Sequence, residues 1–307
     1  MNAAASTPVS TIYLIDASMY VFRAWHSMPD AFFDTEGNPV NAVHGFARFL
    51  LDFLERTHAS HAVAAFDIAL TSSFRNAIYP AYKANRDPAP PELKRQFEYC
   101  RELAAAFGLT VLADAAYEAD DLIGSVLHVS HNHGFHAVIV SADKDFGQLL
   151  FDGAEQWDYA RGQRWGADGV PGRLGVRSDQ VVDYLALTGD ATDNIPGVPG
   201  IGAKGAAALL AHFGDLETLL ARVDEVPFLR LRGAASLAAK LRAHSEQAWL
   251  SQRLARIALD APVPDSPDGL LRHTPDSAVL DALFERLRIG PLTRTRAHKI
   301  LRSDAVA

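Results

Sequence analysis

The sequence predicts an α/β fold, with a central, mostly parallel sheet flanked by helices and a helical region after it. Three observations predict this. Short apolar runs that each end in an aspartate recur at "TIYLID" (residues 11–16), "HAVAAFD" (61–67) and "HAVIVSAD" (136–143). Helical periodicity separates the runs, the pattern of buried parallel strands joined by right-handed crossovers. From about residue 178 the strand signal stops and Ala/Leu-rich helical patterns take over.

Each run is short and β-branched or mixed apolar, as a buried strand requires. The helical candidates between them are 41–57 ("NAVHGFARFLLDFLERT"), 91–107 ("PELKRQFEYCRELAAAF") and 118–132 ("EADDLIGSVLHVSHN"). In such sheets ligands sit beyond the carboxyl ends of the strands, where each run puts its aspartate. Further on, segments 178–188, 203–213, 215–222 and 234–255 carry helical periodicity. A Pro-rich stretch at 261–269 ("APVPDSPDG") interrupts it before a last helix near 276–288. The chain therefore divides into an α/β core over 1–187 and a helical region over 188–307. It shows no internal repeat and no low-complexity tract.

With 307 residues, 49% of them hydrophobic, the chain has ample material for a large core. No run of about 18 apolar residues is long enough to span a membrane. The N-terminus "MNAAASTPVS" lacks a basic start and an apolar stretch, so it reads as a short disordered lead-in. A lone Cys100 excludes an intrachain disulfide framework and a thiolate metal cluster, and its helical context "QFEYCREL" reads as a small buried thiol. A soluble protein of a reducing, cytoplasmic compartment fits these features; they do not fix the oligomeric state, for which a monomer is the expectation. The formal charge of −8 runs against phosphate binding until the acids described next are set aside; without those nine, 28 acidic residues face 29 basic ones. Net charge then neither excludes a nucleic-acid partner nor argues for one.

Nine carboxylates lie where such a fold can gather them: Asp16, Asp67, Glu118, Asp120, Asp121, Asp143, Asp145, Asp190 and Asp193. "YEADDLIG" puts three of them at a helix start, where acids also suit the macrodipole. "SADKDF" presents Asp143 and Asp145 two apart off a strand end, and "TGDATDNIPG" holds Asp190 and Asp193 three apart in a Gly- and Pro-bounded turn. Each group taken singly is also an ordinary cap or turn. Taken together they would repel one another without a counter-ion. Oxygen ligands with no Cys or His select Mg²⁺ or Mn²⁺ over zinc. Two such ions about 4 Å apart suit in-line displacement at phosphorus, one activating a water and the other stabilising the leaving 3′-oxygen.

The insert "SSFRNAIYPAYKANRDPAPPELKR" (72–95) carries Arg75, Lys83, Arg86, Lys94 and Arg95, with Tyr79 and Tyr82 interleaved. Cations that hold phosphates beside aromatics that stack bases form a single-strand grip; the alternative is a solvated loop whose tyrosines pack on the core. Arg23, seven residues after Asp16, reaches the same cleft or lies on a helix surface. "GVPGIGAKG" (197–205) matches G-x-G-x-x-G, but no strand precedes it, and Ala203 separates Gly202 from Lys204, so neither a dinucleotide fingerprint nor a P-loop is present. What remains is a tight turn around Gly197, Gly200 and Gly202 whose N–H groups face a phosphate, with Lys204 adding charge, or which simply packs two helices.

In these motifs the chain resembles the bacterial and phage 5′ nuclease family, which includes the N-terminal nuclease domain of DNA polymerase I and the flap endonucleases. The matching stretches are "LIDASMYVFRAWH", "NAVHGFARFLL", "AAFD", "SFRNAIYPAYKANR", "YEADDLIG", "SADKDFGQLL", "YLALTGDATDNIPGVPGIGAKGAAALL" and "LFERLRIGPL", in family order across about 11–295. The resemblance implies a PIN-like 5′ nuclease fold with a helical arch at about 72–95 and a helix–hairpin–helix-type motif at about 195–213. It implies that the nine acids bind metal and that Lys83 and Arg86 act as arch cations. It further implies that Arg23 and Arg75 contact phosphate and that the glycine turn holds potassium through backbone carbonyls while gripping duplex DNA. With no polymerase or proofreading segment following, a freestanding nuclease is expected. His44, where relatives often have Tyr, and Gly147, where an aromatic is common, depart from the pattern.

The expected activity is structure-specific 5′-3′ exonuclease and flap endonuclease cleavage of DNA in replication or repair, giving 5′-phosphate and 3′-hydroxyl ends. A PIN-like ribonuclease also uses clustered acids, but the glycine turn and the basic insert speak against it. A non-catalytic junction-binding protein would not need the intact carboxylate set.

Overall fold

The computed structural model describes residues 10–68 and 72–304, so the N-terminal lead-in read over residues 1–10 lies, except for Ser10, outside the described residues. The chain forms two compact units, one of Met1–Ile68, Pro88–Val140 and Leu259–Ala307, the other of Ala69–Asp87 and Ser141–Ala258. In chain order the elements begin with β1 (Thr11–Asp16), α1 (Ala17–Ser27), α2 (Asn41–Thr57), β2 (His61–Asp67) and α3 (Phe74–Ile78). They continue with α4 (Pro91–Ala106), β3 (Thr110–Asp114), α5 (Ala119–Asn132), β4 (His136–Val140), β5 (Ala154–Asp158) and β6 (Gln163–Trp165). Helices follow as α6 (Val170–Leu174), α7 (Val181–Thr188), α8 (Ala203–Phe213), α9 (Leu216–Ala221), α10 (Ala234–Ala243), α11 (Ser245–Ala255), α12 (Ser277–Arg286) and α13 (Pro291–Asp304).

The first unit carries a parallel sheet in the order β3-β2-β1-β4. Its register sets Ile12 opposite His61, Asp16 opposite Ala65, and Thr11 opposite His136. The middle strands are buried on both faces, which is why Ile12, Leu14, Ile15, Val63, Phe66 and Ile139 read as continuous apolar runs rather than alternating ones. Helix α5 packs on all four strands through its apolar stripe of Leu122, Ile123 and Val126. Helix α2 turns Phe46, Leu50, Phe53 and Leu54 inward; each such side chain stabilises the core by about 1.5–3 kcal/mol. The chain returns to this unit near Arg272 and His273, whose backbone N–H groups donate to Ser60 and Gly108. Gly108 is required there: its φ is +84°, and a Cβ would come within 2.0 Å of the His273 carbonyl oxygen.

The second unit joins an antiparallel β5–β6 hairpin to a helical cluster in which α7 packs against α8 and α11, and α8 against α9. The expected runs 11–16 and 61–67 are strands with those limits. The third is corrected: β4 stops at Val140, and Asp143 starts a 3₁₀ turn over Lys144–Leu149. The single helix expected over 234–255 is two, because His244 leaves helical geometry between α10 and α11. Strand β3 gave no warning; it has five residues and lies at the sheet edge half exposed, so its apolar signal is weak. In the insert, α3 is one short helix, turns follow to Pro90, and α4 begins at Pro91.

Candidate functional site

In the first unit five of the predicted acids lie at the carboxyl ends of β1 and β2 and at the N-terminus of α5. Asp16 ends β1 and caps α1, accepting from the Met19 N–H at 3.2 Å. Asp67 ends β2; its backbone N–H donates to Ser18 Oγ at 2.8 Å, and its carboxylate accepts the Ala119 N–H, first in α5, at 3.0 Å. Glu118 and Asp121 form a reciprocal capping box, and Asp120 lies in the same first turn. Asp16, Glu118 and Asp121 are buried. The capping role and the ligand role are therefore compatible: a carboxylate has two oxygens and about four acceptor sites, and a backbone amide takes only one.

In the second unit Asp143, Asp145, Asp190 and Asp193 gather around three cations. Gln156, fully buried, donates from Nε2 to the carbonyls of Ser141 at 3.0 Å and Asp143 at 2.6 Å, which fixes the bend after β4. The Asp145 N–H then donates to Asp143 Oδ1 at 2.9 Å. The loop carrying Asp190 and Asp193 is closed by paired backbone bonds between Asp190 and Ile195. Gly189 and Gly197 come together just outside it, at its base, where a Cβ on Gly197 would lie 2.3 Å from the Gly189 nitrogen. Lys144, which the sequence reading passed over, bridges Asp190 and Asp145, the latter at 3.3 Å. Lying between two acids in "DKD", it reads locally as charge balance; only the fold brings Asp190 to it. Arg86 binds Asp193 directly, and Lys83 Nζ stands 3.7 Å from the same carboxylate.

The electrostatics follow from this crowding. Burial and the neighbouring Asp143, with Asp190 and Asp193 adding to them, push the Asp145 carboxyl up to about 7 against the opposing pull of Lys144. Burial works against charge on Lys144 as well, but Asp145 and Asp190 outweigh it and hold its pKa above the lysine range. Burial alone would raise Asp190, yet the bond from Lys144 leaves it lowered.

Among the described residues no three His, Cys, Asp or Glu side chains stand in a ready ligating arrangement. In the second unit lysine and arginine heads are paired with the carboxylates of Asp145, Asp190 and Asp193. The donor set nevertheless suits a hard divalent cation, being all oxygen, and buried Asp145 Oδ1 accepts no hydrogen bond, although Lys144 Nζ stands 3.3 Å from it.

Two expectations are corrected by burial. Arg75 is 3% exposed and donates to the carbonyls of Leu254 and Arg256, each at 2.8 Å, so it closes the end of α11 rather than facing a phosphate. Tyr82 is also buried, its hydroxyl donating to Asp193 at 3.3 Å, and its ring is not available to stack a base. Tyr79 is half-buried, and Arg23 is exposed on α1. Lys83 is buried with φ +54°, its ammonium 5.1 Å from the centre of the Tyr82 ring. His44 stacks on Phe32 at 4.3 Å and places Nε2 3.0 Å from the Leu287 carbonyl. Gly147 lies against Leu174 and Val181, which fill the space an aromatic side chain would take.

The glycine turn is held from behind. Gly197 donates its N–H to Ser251 Oγ at 3.0 Å and accepts from Gln247 at 2.6 Å, while Lys240 Nζ donates to the Gly200 carbonyl at 3.1 Å. Gly202, the N-cap of α8, is exposed with open space around its α-carbon, and Lys204 follows it on the exposed face.

Residues 11–175 match the family model for the 5′-3′ exonuclease N-terminal resolvase-like domain, and 176–278 match that for the 5′-3′ exonuclease C-terminal SAM fold. The chain is 39% identical over 277 residues to DNA polymerase I of Pseudomonas aeruginosa, covering 90% of this chain and 30% of the relative. It is 37% identical over 285 residues to the thermostable DNA polymerase I of Thermus filiformis, covering 93% and 33%. The chain thus spans about a third of the length of these relatives. In structure it is similar to a T5 5′-exonuclease with bound zinc, at 20% identity and a TM-score of 0.66, covering 96% of this chain and 99% of the other. It is also similar to the Rad2 catalytic core in complex with a DNA substrate, at 16% identity and a TM-score of 0.63, covering 96% and 92%. Among the described residues no helix is long and apolar enough to cross a membrane.

Proposed function

The chain belongs to the 5′-3′ exonuclease family, and on that premise we propose that it hydrolyses DNA phosphodiester bonds at 5′ ends, flaps or junctions. It acts as a structure-specific 5′-3′ exonuclease and flap endonuclease of replication or repair. The observation that carries this reading is the all-oxygen set of nine acids, five around the N-termini of α1 and α5 and four around the Lys144 turn and the Asp190 loop.

The nine carboxylates Asp16, Asp67, Glu118, Asp120, Asp121, Asp143, Asp145, Asp190 and Asp193 are the ligands of divalent ions. Mg²⁺ or Mn²⁺ supplies charge neutralisation at phosphorus and a more acidic water. The protein's own groups do the rest. Backbone amides fix the carboxylates of Asp16, Asp67, Glu118 and Asp121, so little reorganisation is needed there when a phosphate arrives. Lys83 and Arg86 are held on Asp193; once that carboxylate is otherwise neutralised, both are free to take a substrate phosphate and favour a 5′ end. Arg23 adds a phosphate contact, and Tyr79 stacks an unpaired base. The N–H groups at the start of α8, with Gly200, Gly202 and Lys204, hold a duplex phosphate. A potassium ion at the carbonyls of the turn would add to the positive field already given by Lys240. Functionally the nuclease core ends near residue 187, and the helical region from 188 grips duplex. The products are 5′-phosphate and 3′-hydroxyl ends.

The test is a cleavage assay in Mg²⁺ on a 5′-flap substrate beside blunt duplex, single strand and an RNA flap of identical shape, with product ends mapped. Cleavage confined to RNA, or none with either Mg²⁺ or Mn²⁺, would overturn the reading. Lys83→Ala and Arg86→Ala are expected to slow flap cleavage and weaken its dependence on a 5′ end. Equal rates for wild type and both variants on flap and closed-circle substrates would remove these residues from that role.

A further inference from the structure

The second unit carries a strip that the proposed function does not use, and we propose that Arg230 and Arg232, with Phe228 beside them, form a second contact for the duplex arm held at the glycine turn. The ligand's identity rests on the reading above; the strip itself rests on the geometry of residues 223–240.

The turn Val223–Phe228 packs against α10. The chain then runs to α10 through backbone bonds from Leu229 to Val226, Leu231 to Leu229, and Ala234 to Leu231. Along this run side chains alternate. Leu229 and Leu231 are half-buried, whereas Phe228, Arg230 and Arg232 are exposed, Phe228 to 87%. One exposed ring is ordinary by itself, but ahead of two exposed arginines it makes a surface that fits a ligand with both apolar and anionic faces. A duplex offers both: deoxyribose faces and a dense line of phosphates.

The cations are available. The nearest acids in sequence, Asp224 and Glu225, are already engaged by Arg242 and Arg222 respectively. Among the described residues neither Arg230 nor Arg232 has an ion-pair or hydrogen-bond partner. Helix α10 ties the strip to the turn: Arg232 and Gly233 lead into it, and its Lys240 donates to the Gly200 carbonyl. From Gly233 to Lys240 the helix rises about 10 Å at 1.5 Å per residue. That is roughly three base-pair steps of 3.4 Å, so an arm seated on the turn and extended along α10 reaches the strip within one helical repeat.

The experiment is fluorescence-anisotropy binding of the full chain in Ca²⁺ to a flap substrate with a long duplex arm of about 20 base pairs, and to a single strand of the same length with no duplex arm, across a salt series. On the long arm, Arg230→Ala with Arg232→Ala is expected to flatten the plot of log affinity against log salt by about 1.8, or about 0.9 per lost phosphate contact. On the single strand the double variant keeps the wild-type slope. Phe228→Ala, which removes no charge, weakens long-arm binding by roughly threefold at every salt concentration. Arg230→Gln with Arg232→Gln repeats the test with side-chain bulk retained. An unchanged slope on the long arm, or an equal loss on the arm and on the single strand, overturns the strip. Wild-type protein that binds neither substrate would instead overturn the DNA reading beneath it.

Discussion

In the first unit the acids are anchored by backbone amides, as where Asp67 accepts the Ala119 N–H and Asp121 accepts that of Glu118. In the second they are balanced by side-chain cations from separate segments, with Lys144 on Asp145 and Asp190, and Lys83 and Arg86 on Asp193. The difference teaches how one type of residue can be fixed in two ways. An amide at a helix N-terminus cannot move away without unwinding the helix, so the first group is rigid whatever the ionic conditions. A lysine or arginine head can exchange for another cation, so the second group responds to what is bound.

The largest expected effect is on chemistry. Asp143→Ala should lower single-turnover flap cleavage by at least about a hundredfold, while duplex binding in Ca²⁺ survives. Unchanged cleavage would take Asp143 out of the ligand set.

Next comes a structural loss. Arg75→Ala removes two charge-assisted hydrogen bonds to the buried end of α11 and should destabilise the protein by about 3 kcal/mol in denaturant titration. Arg23→Ala, on an exposed helix face, should stay within about 0.5 kcal/mol. Reversed magnitudes would undo the assignment of Arg75 to packing.

A smaller effect sharpens the contrast between the two acid groups. In EDTA, Lys144→Met should lower the melting temperature by roughly 2–4 °C, because Asp145 and Asp190 lose their shared counter-charge. Excess Mg²⁺ should recover most of that loss by binding the folded state. If Mg²⁺ leaves the variant's deficit as it was, exchange of cations at the second group is refuted.

The smallest concerns pH. Burial holds the His44 pKa below its usual value, although the Leu287 carbonyl pulls it up. The unfolded chain therefore binds the proton first as pH falls below about 6.5, and stability drops with it. His44→Phe should flatten the dependence of the unfolding midpoint between pH 8 and pH 5. An unaltered slope would show that another group sets it.

Several parts of the molecule were legible in the residues alone. "TIYLID" and "HAVAAFD" are strands with the expected limits, because a strand buried on both faces has to be apolar throughout. "EADD" is a helix start, because acids at that position answer unsatisfied amides. Cys100 is a buried thiol, which raises its pKa, because a helix face towards the core admits a small sulfur. The family was legible too, since its motifs stand in family order along the chain.

Tertiary structure decided which charges remain available. Arg75, Tyr82, Arg230 and Arg232 are alike on paper, cations and aromatics in polar stretches. Burial removes the first two, Arg75 against the end of α11 and Tyr82 beside Asp193, while the alternation after Phe228 exposes the last two. Lys144 joins the site because a loop more than forty residues away brings Asp190 to it. Periodicity and capping are local rules that neighbours in sequence enforce. Charge pairing acts through space at a few ångströms, and only the folded chain sets those distances.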